Sequence, residues 1–263
     1  MSLLAQFLLR LAFGLAIGMA ITSPRQVSSG FYRNHLYVTL GLATLAALSL
    51  ASNSPIAMWF AITGAVLSYI GSICWLYNAK RIGFVVLRLV AWVCFLAAIL
   101  GAGAQMEVVA TGTAPTDETL TMYHQKPIGT LETIGVLTSG LVLGLTTTAM
   151  LLGHWYLNSP GMELGPLRRL LALAAVAVAM QAIVSTAGLA AMWQANAGVP
   201  IHWVLLRWSF GIVGVAAMLW MAWQTLKIPN TQSATGILYV AVIGAFVGEL
   251  AACLLSAESA YPL

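Results

Sequence analysis

Three charged side chains stand inside segments that are otherwise apolar. Arg10 lies in the first such segment, Arg207 in the seventh and Glu249 in the eighth. At the helical rise of 1.5 Å per residue, all three come roughly 9–10 Å below the same membrane surface. A lone Glu at that depth costs free energy or stays protonated, and an Arg beside it removes much of the penalty. We therefore predict that Glu249 pairs with Arg207 or Arg10, facing the interior of a helix bundle.

Two interpretations of this charged layer are possible. It could bind a quinone head group or relay protons, because ionisable groups inside membranes commonly serve function. It could also be a buried ion pair that fixes helix register. His202 opens the seventh segment on the same side, so the candidate ligand-binding residues are Arg10, His202, Arg207 and Glu249. Arg88, near the opposite surface, can extend its side chain to the interface.

A second polar group is predicted at that opposite, cytoplasmic surface, and we call it the cytoplasmic rim. His35 opens the second segment and His154 ends the fifth, so the pair could supply the two axial ligands of a b-type haem. The alternative readings are helix capping, or a face that contacts a partner protein. No carboxylate or thiol accompanies either histidine, so we predict no metal site. The rim residues are Arg33, His35, His154, Tyr156 and Asn158.

The remaining reactive residues indicate no catalysis by this chain alone. Cys74, Cys94 and Cys253 lie in apolar runs and form no CxxC pair, which argues against a disulfide framework or a zinc site. The sequence contains no P-loop, nucleophile elbow or HExxH motif.

Composition identifies the solvent that surrounds these residues. Of 263 residues, 60% are hydrophobic and 7% are charged, whereas soluble domains average about 25% charged residues. We predict an all-α integral membrane protein, because lipid cannot satisfy an open backbone and the apolar runs are too long for barrel strands. Runs of about 20 residues are long enough to span a membrane. Eight are predicted, at 3–21, 36–52, 55–77, 82–104, 134–157, 170–193, 201–223 and 234–255.

Basic residues set the predicted orientation. The odd-numbered connections carry Arg25, Arg33, Lys80, Arg81, Arg168, Arg169 and Lys227, whereas the even connections and the tails carry only Lys126. By the positive-inside rule the odd connections are cytoplasmic, and both termini are extracytoplasmic. We expect location in the inner (cytoplasmic) membrane. Trp75 with Tyr77, and Trp220 with Trp223, are predicted to mark the cytoplasmic interface as members of an aromatic belt.

The two halves of the chain look duplicated. Ser23-Pro24 and Ser159-Pro160 are 136 residues apart, and each is followed ten residues later by an Arg. Pro55 and Pro200 are 145 residues apart and open the third helix of each half. Four helices per copy give a parallel repeat. We predict a first four-helix unit at 1–104, an acidic extracytoplasmic loop at 105–133 and a second unit at 134–263, with a ligand-sized seam between the two bundles.

Small residues predict where helices approach closely. Gly14 with Gly18 and Gly140 with Gly144 each form a GxxxG pair, which favours tight helix contact in membranes. The alternative is that glycine is simply common in membrane helices.

Helix number, orientation and duplication together resemble the eight-helix membrane anchor subunits of the dimethyl-sulfoxide-reductase and polysulfide-reductase type. The resemblance covers the whole chain but includes no motif matched residue by residue. It implies a subunit of a respiratory electron-transfer complex that contributes a quinone-facing site, with catalysis and metal centres on other subunits. That family often places a His and an acid near its quinone, and His202 with Glu249 is the comparable pair here.

Two other functions remain open: a transporter or channel for a small solute or for protons, and a haem-binding or haem-handling membrane protein. For each of these functions we expect the lipid bilayer and other protein subunits as partners, and no nucleic acid.

Overall fold

In a computed structural model of the chain, every regular element in the described residues is a helix. The structure describes residues 2–52, 54–111, 129–159, 161–194, 201–228 and 230–258, with side chains described within 3–102, 129–194 and 201–256. Lys126 and residues 112–128 of the predicted acidic loop lie outside these residues, as do Pro160 and Pro200 of the predicted repeat.

The long helices follow the predicted apolar runs. They are α1 Ser2–Ile21, α2 Ser29–Leu50, α3 Pro55–Leu76, α4 Lys80–Thr111, α5 Thr130–Asn158, α6 Gly165–Gln194, α7 Ile201–Lys227 and α8 Thr231–Glu258. Within α7, residues Arg207–Gly214 form a π-helical segment.

Seven of the described helices are long and apolar enough to cross a membrane, so the chain is a multi-pass membrane protein. The helix outside this group is α2, which spans 22 residues and carries Arg33, Asn34 and His35 near its start. It packs between α1 and α3 and buries residues along its length, from Phe31 to Leu50. Its role as the eighth span stays a prediction, as does the orientation. We use "outer" and "inner" for the predicted extracytoplasmic and cytoplasmic sides.

Large apolar side chains on the outside of the bundle agree with a lipid environment. Leu48, Trp59, Ile183 and Ile243 are each more than 60% exposed in the middle or outer parts of their helices. Water would penalise such a surface, and lipid tails would not.

Each half of the chain forms a ring of four helices. In the first half, α1 contacts α2, α2 contacts α3, α3 contacts α4, and α4 returns to α1. In the second half, α5, α6, α7 and α8 follow the same order, and α8 returns to α5. The two rings meet mainly through their first helices, α1 and α5. This arrangement agrees with a tandem duplication, which itself stays a prediction.

The predicted GxxxG pairs face each other across this α1–α5 contact. A Cβ atom on Gly14 would overlap the backbone carbonyl of Gly140, and one on Gly18 would overlap the side chain of Thr148. Backbones can approach this closely only where side chains are absent. The seam between the halves is therefore closed where α1 meets α5.

Two features differ from the sequence expectation. α4 extends to Thr111 and α5 begins at Thr130, so helix replaces both ends of the predicted loop at 105–133. The early start of α5 has a local cause, because the Gly129 N–H donates to the Glu132 carboxylate at 3.2 Å and caps the helix. Trp75 is 1% exposed and stacks on Tyr32 at 4.1 Å, so it is a core residue and not a member of an aromatic belt.

Candidate functional site

The charged cluster in the outer half of the membrane is the candidate site. It consists of Arg10 on α1, Ser139 on α5, Arg207 on α7 and Glu249 on α8. The structure confirms the predicted pairing and extends it, because Glu249 pairs with both arginines. Arg10 Nη1 lies 3.7 Å from Glu249 Oε2, and Arg207 Nη1 lies 3.5 Å from Oε1.

Neutral groups complete the contacts of the cluster. The Ser139 hydroxyl donates to Glu249 Oε2 and accepts a hydrogen bond from Arg10 Nη1 at 3.3 Å. Arg207 Nη1 also donates to the Gly248 carbonyl at 3.1 Å. Four helices from both halves of the chain therefore converge on one carboxylate.

The π-helical segment and three glycines place Arg207 against α8. A Cβ on Gly211 would lie 2.6 Å from Gly248 Cα, and one on Gly244 would lie 3.0 Å from the Phe210 carbonyl oxygen. This backbone contact brings the Arg207 side chain next to Glu249, one residue beyond Gly248. Short π-helical segments are rare and occur frequently at functional sites.

The cluster is buried and holds excess positive charge. The side chains of Arg207 and Glu249 are 2% and 3% exposed, and that of Arg10 is 13% exposed. A guanidinium stays protonated in proteins, so two arginines against one carboxylate leave at least one positive charge uncompensated. Arg10 Nε, Arg207 Nε and Arg207 Nη2 have no hydrogen-bond partner among the described residues.

An unpartnered charged donor is costly away from water. The cluster can therefore accept an additional anion or a strong hydrogen-bond acceptor, such as a carbonyl oxygen. Its carboxylate is shared by both arginines and by the Ser139 hydroxyl. These are the chemical capabilities that the geometry provides.

His202 is not brought into the cluster. Its side chain is exposed and its ring lies 5.2 Å from that of Trp203. Five residues separate His202 from Arg207, which turns a helix by about 500° and places the two on faces about 140° apart. The same five residues raise His202 roughly 7–8 Å toward the outer end of α7, so a shared outer half of the membrane did not predict a shared site.

Ser139 was missed by sequence reasoning. A serine inside a membrane helix usually bonds to its own backbone, so its type carries no signal. The available signal was its neighbour, because Gly140 begins the GxxxG pair that presses α5 against α1, and the face of α1 that bears Gly14 is close to Arg10.

The described contacts of the cytoplasmic rim differ from residue to residue. His35 is buried, its Nδ1 lies 2.6 Å from the Phe31 carbonyl oxygen, and its ring contacts Phe31 and Trp155. His154 is exposed, and its Nδ1 lies 3.3 Å from the Tyr239 hydroxyl. Each histidine thus makes its own contact through Nδ1, with a backbone carbonyl for His35 and with a tyrosine hydroxyl for His154.

The other rim residues contact backbone or lie at the surface. The Tyr156 hydroxyl donates to the Glu163 carbonyl at 2.8 Å. Arg33 is half-buried and Asn158, the last residue of α5, is exposed. Haem binding by His35 and His154, and contact of the rim with a partner protein, stay predictions.

Within the described residues, no three or more His, Cys, Asp or Glu side chains are grouped so that they could hold a metal ion. The chain matches no protein-family model, no curated protein and no solved structure to which it was compared.

Proposed function

We propose that the protein is a membrane subunit of an electron-transfer complex, and that its charged cluster binds a quinone head group near the extracytoplasmic surface. One observation carries the proposal: Arg10 and Arg207 keep three buried nitrogens without an acceptor around Glu249. A quinone carbonyl oxygen is an acceptor that enters from the membrane without bringing water.

The cluster contains the groups that quinol chemistry needs. The unpartnered guanidinium nitrogens can donate to the head-group oxygens and stabilise an anionic form. Glu249 can accept a proton from a quinol hydroxyl. The two electrons released with two protons on quinol oxidation would pass to an iron–sulfur or haem centre on a partner subunit. The resemblance to anchor subunits in helix number and duplication supports the same assignment.

The test is quinone binding by protein in lipid nanodiscs. A short-chain quinone should quench tryptophan fluorescence saturably, and Glu249→Gln or Arg207→Lys should weaken this binding about tenfold or more, the effect of losing one charged hydrogen bond. His202→Ala is the matched control, since His202 lies in the outer part of the same helix on another face, and its affinity should equal that of the wild type.

Two results would reject the proposal. One is a wild-type protein that shows no saturable quenching by either a benzoquinone or a naphthoquinone. The other is a Glu249→Gln variant that unfolds as cooperatively as wild type and binds quinone as tightly. Ser139→Ala keeps all the charges of the cluster, so we expect it to fold and to lose less quinone affinity than Glu249→Gln. A smaller loss of affinity in a folded variant distinguishes weakened binding from a failure to fold.

Proton conduction is a second candidate, favoured by polar groups deeper in the second bundle. Gln181 and Ser185 on α6 are buried, and Gln181 Oε1 and Ser185 Oγ have no partner among the described residues. Ser185 lies roughly 13 Å and Gln181 roughly 20 Å from the outer end of α6. The helix that carries them, α6, packs against α7, which carries Arg207.

Sealed liposomes with an internal pH dye separate the two candidates. Conduction predicts proton flux that Glu249→Gln abolishes and Gln181→Leu reduces. Quinone binding alone predicts no flux, and Gln181→Leu should then bind quinone like the wild type.

A further inference from the structure

An open groove lies beside the closed α1–α5 contact, where α4 approaches the second half. Its volume is about 340 Å³. The walls are apolar side chains of α1 (Phe13 and Ile17), α4 (Trp92 and Phe95) and α5 (Leu137 and Leu141). Trp92 is 64% exposed, so the groove opens on the lipid-facing surface.

Among the described residues that line the groove, Arg88 is the only charged one. It lies eight residues into α4 and therefore roughly 12 Å from the inner end of that helix. Its side chain is exposed, and its guanidinium carbon lies 5.9 Å from the centre of the Phe84 ring. An arginine on a lipid-facing surface extends toward the interface, where phosphate groups are its natural partners.

A second arginine lies on the same face of α4. Arg81 precedes Arg88 by seven residues, which is almost two full turns, so the two side chains lie one above the other. Both are exposed. Arg88 thus lines the groove, and Arg81 lies nearer the inner surface on the same face of α4.

The walls extend from near the inner surface past the middle of the bundle. Ile17 lies four residues from the inner end of α1, whereas Leu137 lies seven residues from the outer end of α5. A long apolar trough with its cationic end at the inner surface matches one lipid molecule in shape and in charge.

We infer that this groove binds an acidic phospholipid of the inner leaflet, with its phosphate on Arg88 and one acyl chain between the halves of the chain. A zwitterionic lipid also carries a phosphate, but its own cation would lie close to Arg88 and Arg81. An acidic lipid such as phosphatidylglycerol lacks that repulsion. The lipid would fill the seam where α4 and α5 make few direct contacts.

The experiment uses native mass spectrometry of full-length protein released from nanodiscs of phosphatidylcholine doped with phosphatidylglycerol. Wild type should retain one phosphatidylglycerol in preference to phosphatidylcholine. Arg88→Gln should reduce that retention about fivefold, the equivalent of about 1 kcal/mol for one charge near the membrane surface. Arg88→Lys should keep most of the preference.

Two further variants separate charge from shape. Arg169→Gln removes an exposed arginine at the inner end of α6, away from the groove, and should retain lipid like the wild type. Leu141→Trp fills the trough and leaves every charge in place, so it should also lose the lipid.

Three outcomes would overturn the inference: equal retention by Arg88→Gln and wild type, equal retention of the two lipids by wild type, or a retained molecule that is a quinone. The quinone-binding test at the outer cluster does not use Arg88, so the two proposals fail independently.

Discussion

The two halves of the chain are joined by polar contacts at both ends of the α1–α5 seam, and the two ends differ in their surroundings. At the outer end, Arg10 contacts Ser139 and Glu249 in a buried cluster. At the inner end, Gln26 donates to Glu163 at 2.5 Å and Trp155 Nε1 donates to Ser28 at 3.1 Å, and both contacts are exposed.

This difference shows that burial, and not the type of contact, determines how much stability is lost when a contact is removed. Water replaces a broken contact at the inner end, so exposed pairs contribute about 0–1 kcal/mol. Water cannot take the place of Glu249 beside the two buried guanidinium groups. Removal of the carboxylate therefore leaves buried positive charge without a counter-charge, which lowers the free energy of unfolding. A ligand that supplies an acceptor at the outer end would therefore gain more binding free energy than one at the inner end.

The largest expected effect is that of Glu249→Gln, which removes the only carboxylate of the cluster. We expect a loss of about 3–5 kcal/mol in the free energy of unfolding, because two buried arginines lose their counter-charge. Glu163→Gln, at the inner end, should cost less than about 1 kcal/mol. Unfolding by SDS titration in mixed micelles measures both, and equal losses would contradict the comparison.

The middle of the seam is tested by Gly14→Ala. The added Cβ overlaps the Gly140 carbonyl, so α1 and α5 must separate, at a cost of about 1–3 kcal/mol. Gly41→Ala is the matched control, because a Cβ there meets nothing within 4 Å. The same titration should show Gly41→Ala at least as stable as wild type, and a harmless Gly14→Ala would argue that the halves are not pressed together.

Ser139→Ala isolates one hydrogen bond of the outer cluster. Glu249 keeps both arginines, so the expected loss is about 1.5 kcal/mol, typical of a bond to a charged group. Ser209→Ala should have little effect, since the Ser209 hydroxyl is exposed and bonds to the Leu205 carbonyl of its own helix. If thermal unfolding shifts equally for the two variants, the Ser139–Glu249 bond has no special strength.

The smallest effect is expected for Trp155→Phe at the inner end. It removes the N–H that donates to Ser28 and keeps an aromatic ring beside Phe31. We expect a loss of about 0.5 kcal/mol. A double-mutant cycle with Ser28→Ala measures the coupling directly, and a value comparable to that of Glu249→Gln would remove the distinction between the two ends.

The sequence by itself determined the helices and the layer of charges. Lipid requires long apolar segments with all backbone groups bonded internally, so the apolar runs predict α1 to α8 to within a few residues at most ends. The rise per residue is fixed, so residue number gives depth and predicts one layer for Arg10, Arg207 and Glu249.

Only the tertiary structure decided which residues of a layer meet. Depth does not give the direction of a side chain around the bundle, so His202 was grouped with Glu249 although it faces elsewhere, and Ser139 was not recognised. Trp75 likewise has the depth of a belt residue, and only its stacking on Tyr32 makes it part of the core. The length of a helix depends on the residues within that helix. The contacts of its side chains depend also on the rotation of each helix about its axis, which is set by how closely neighbouring helices pack.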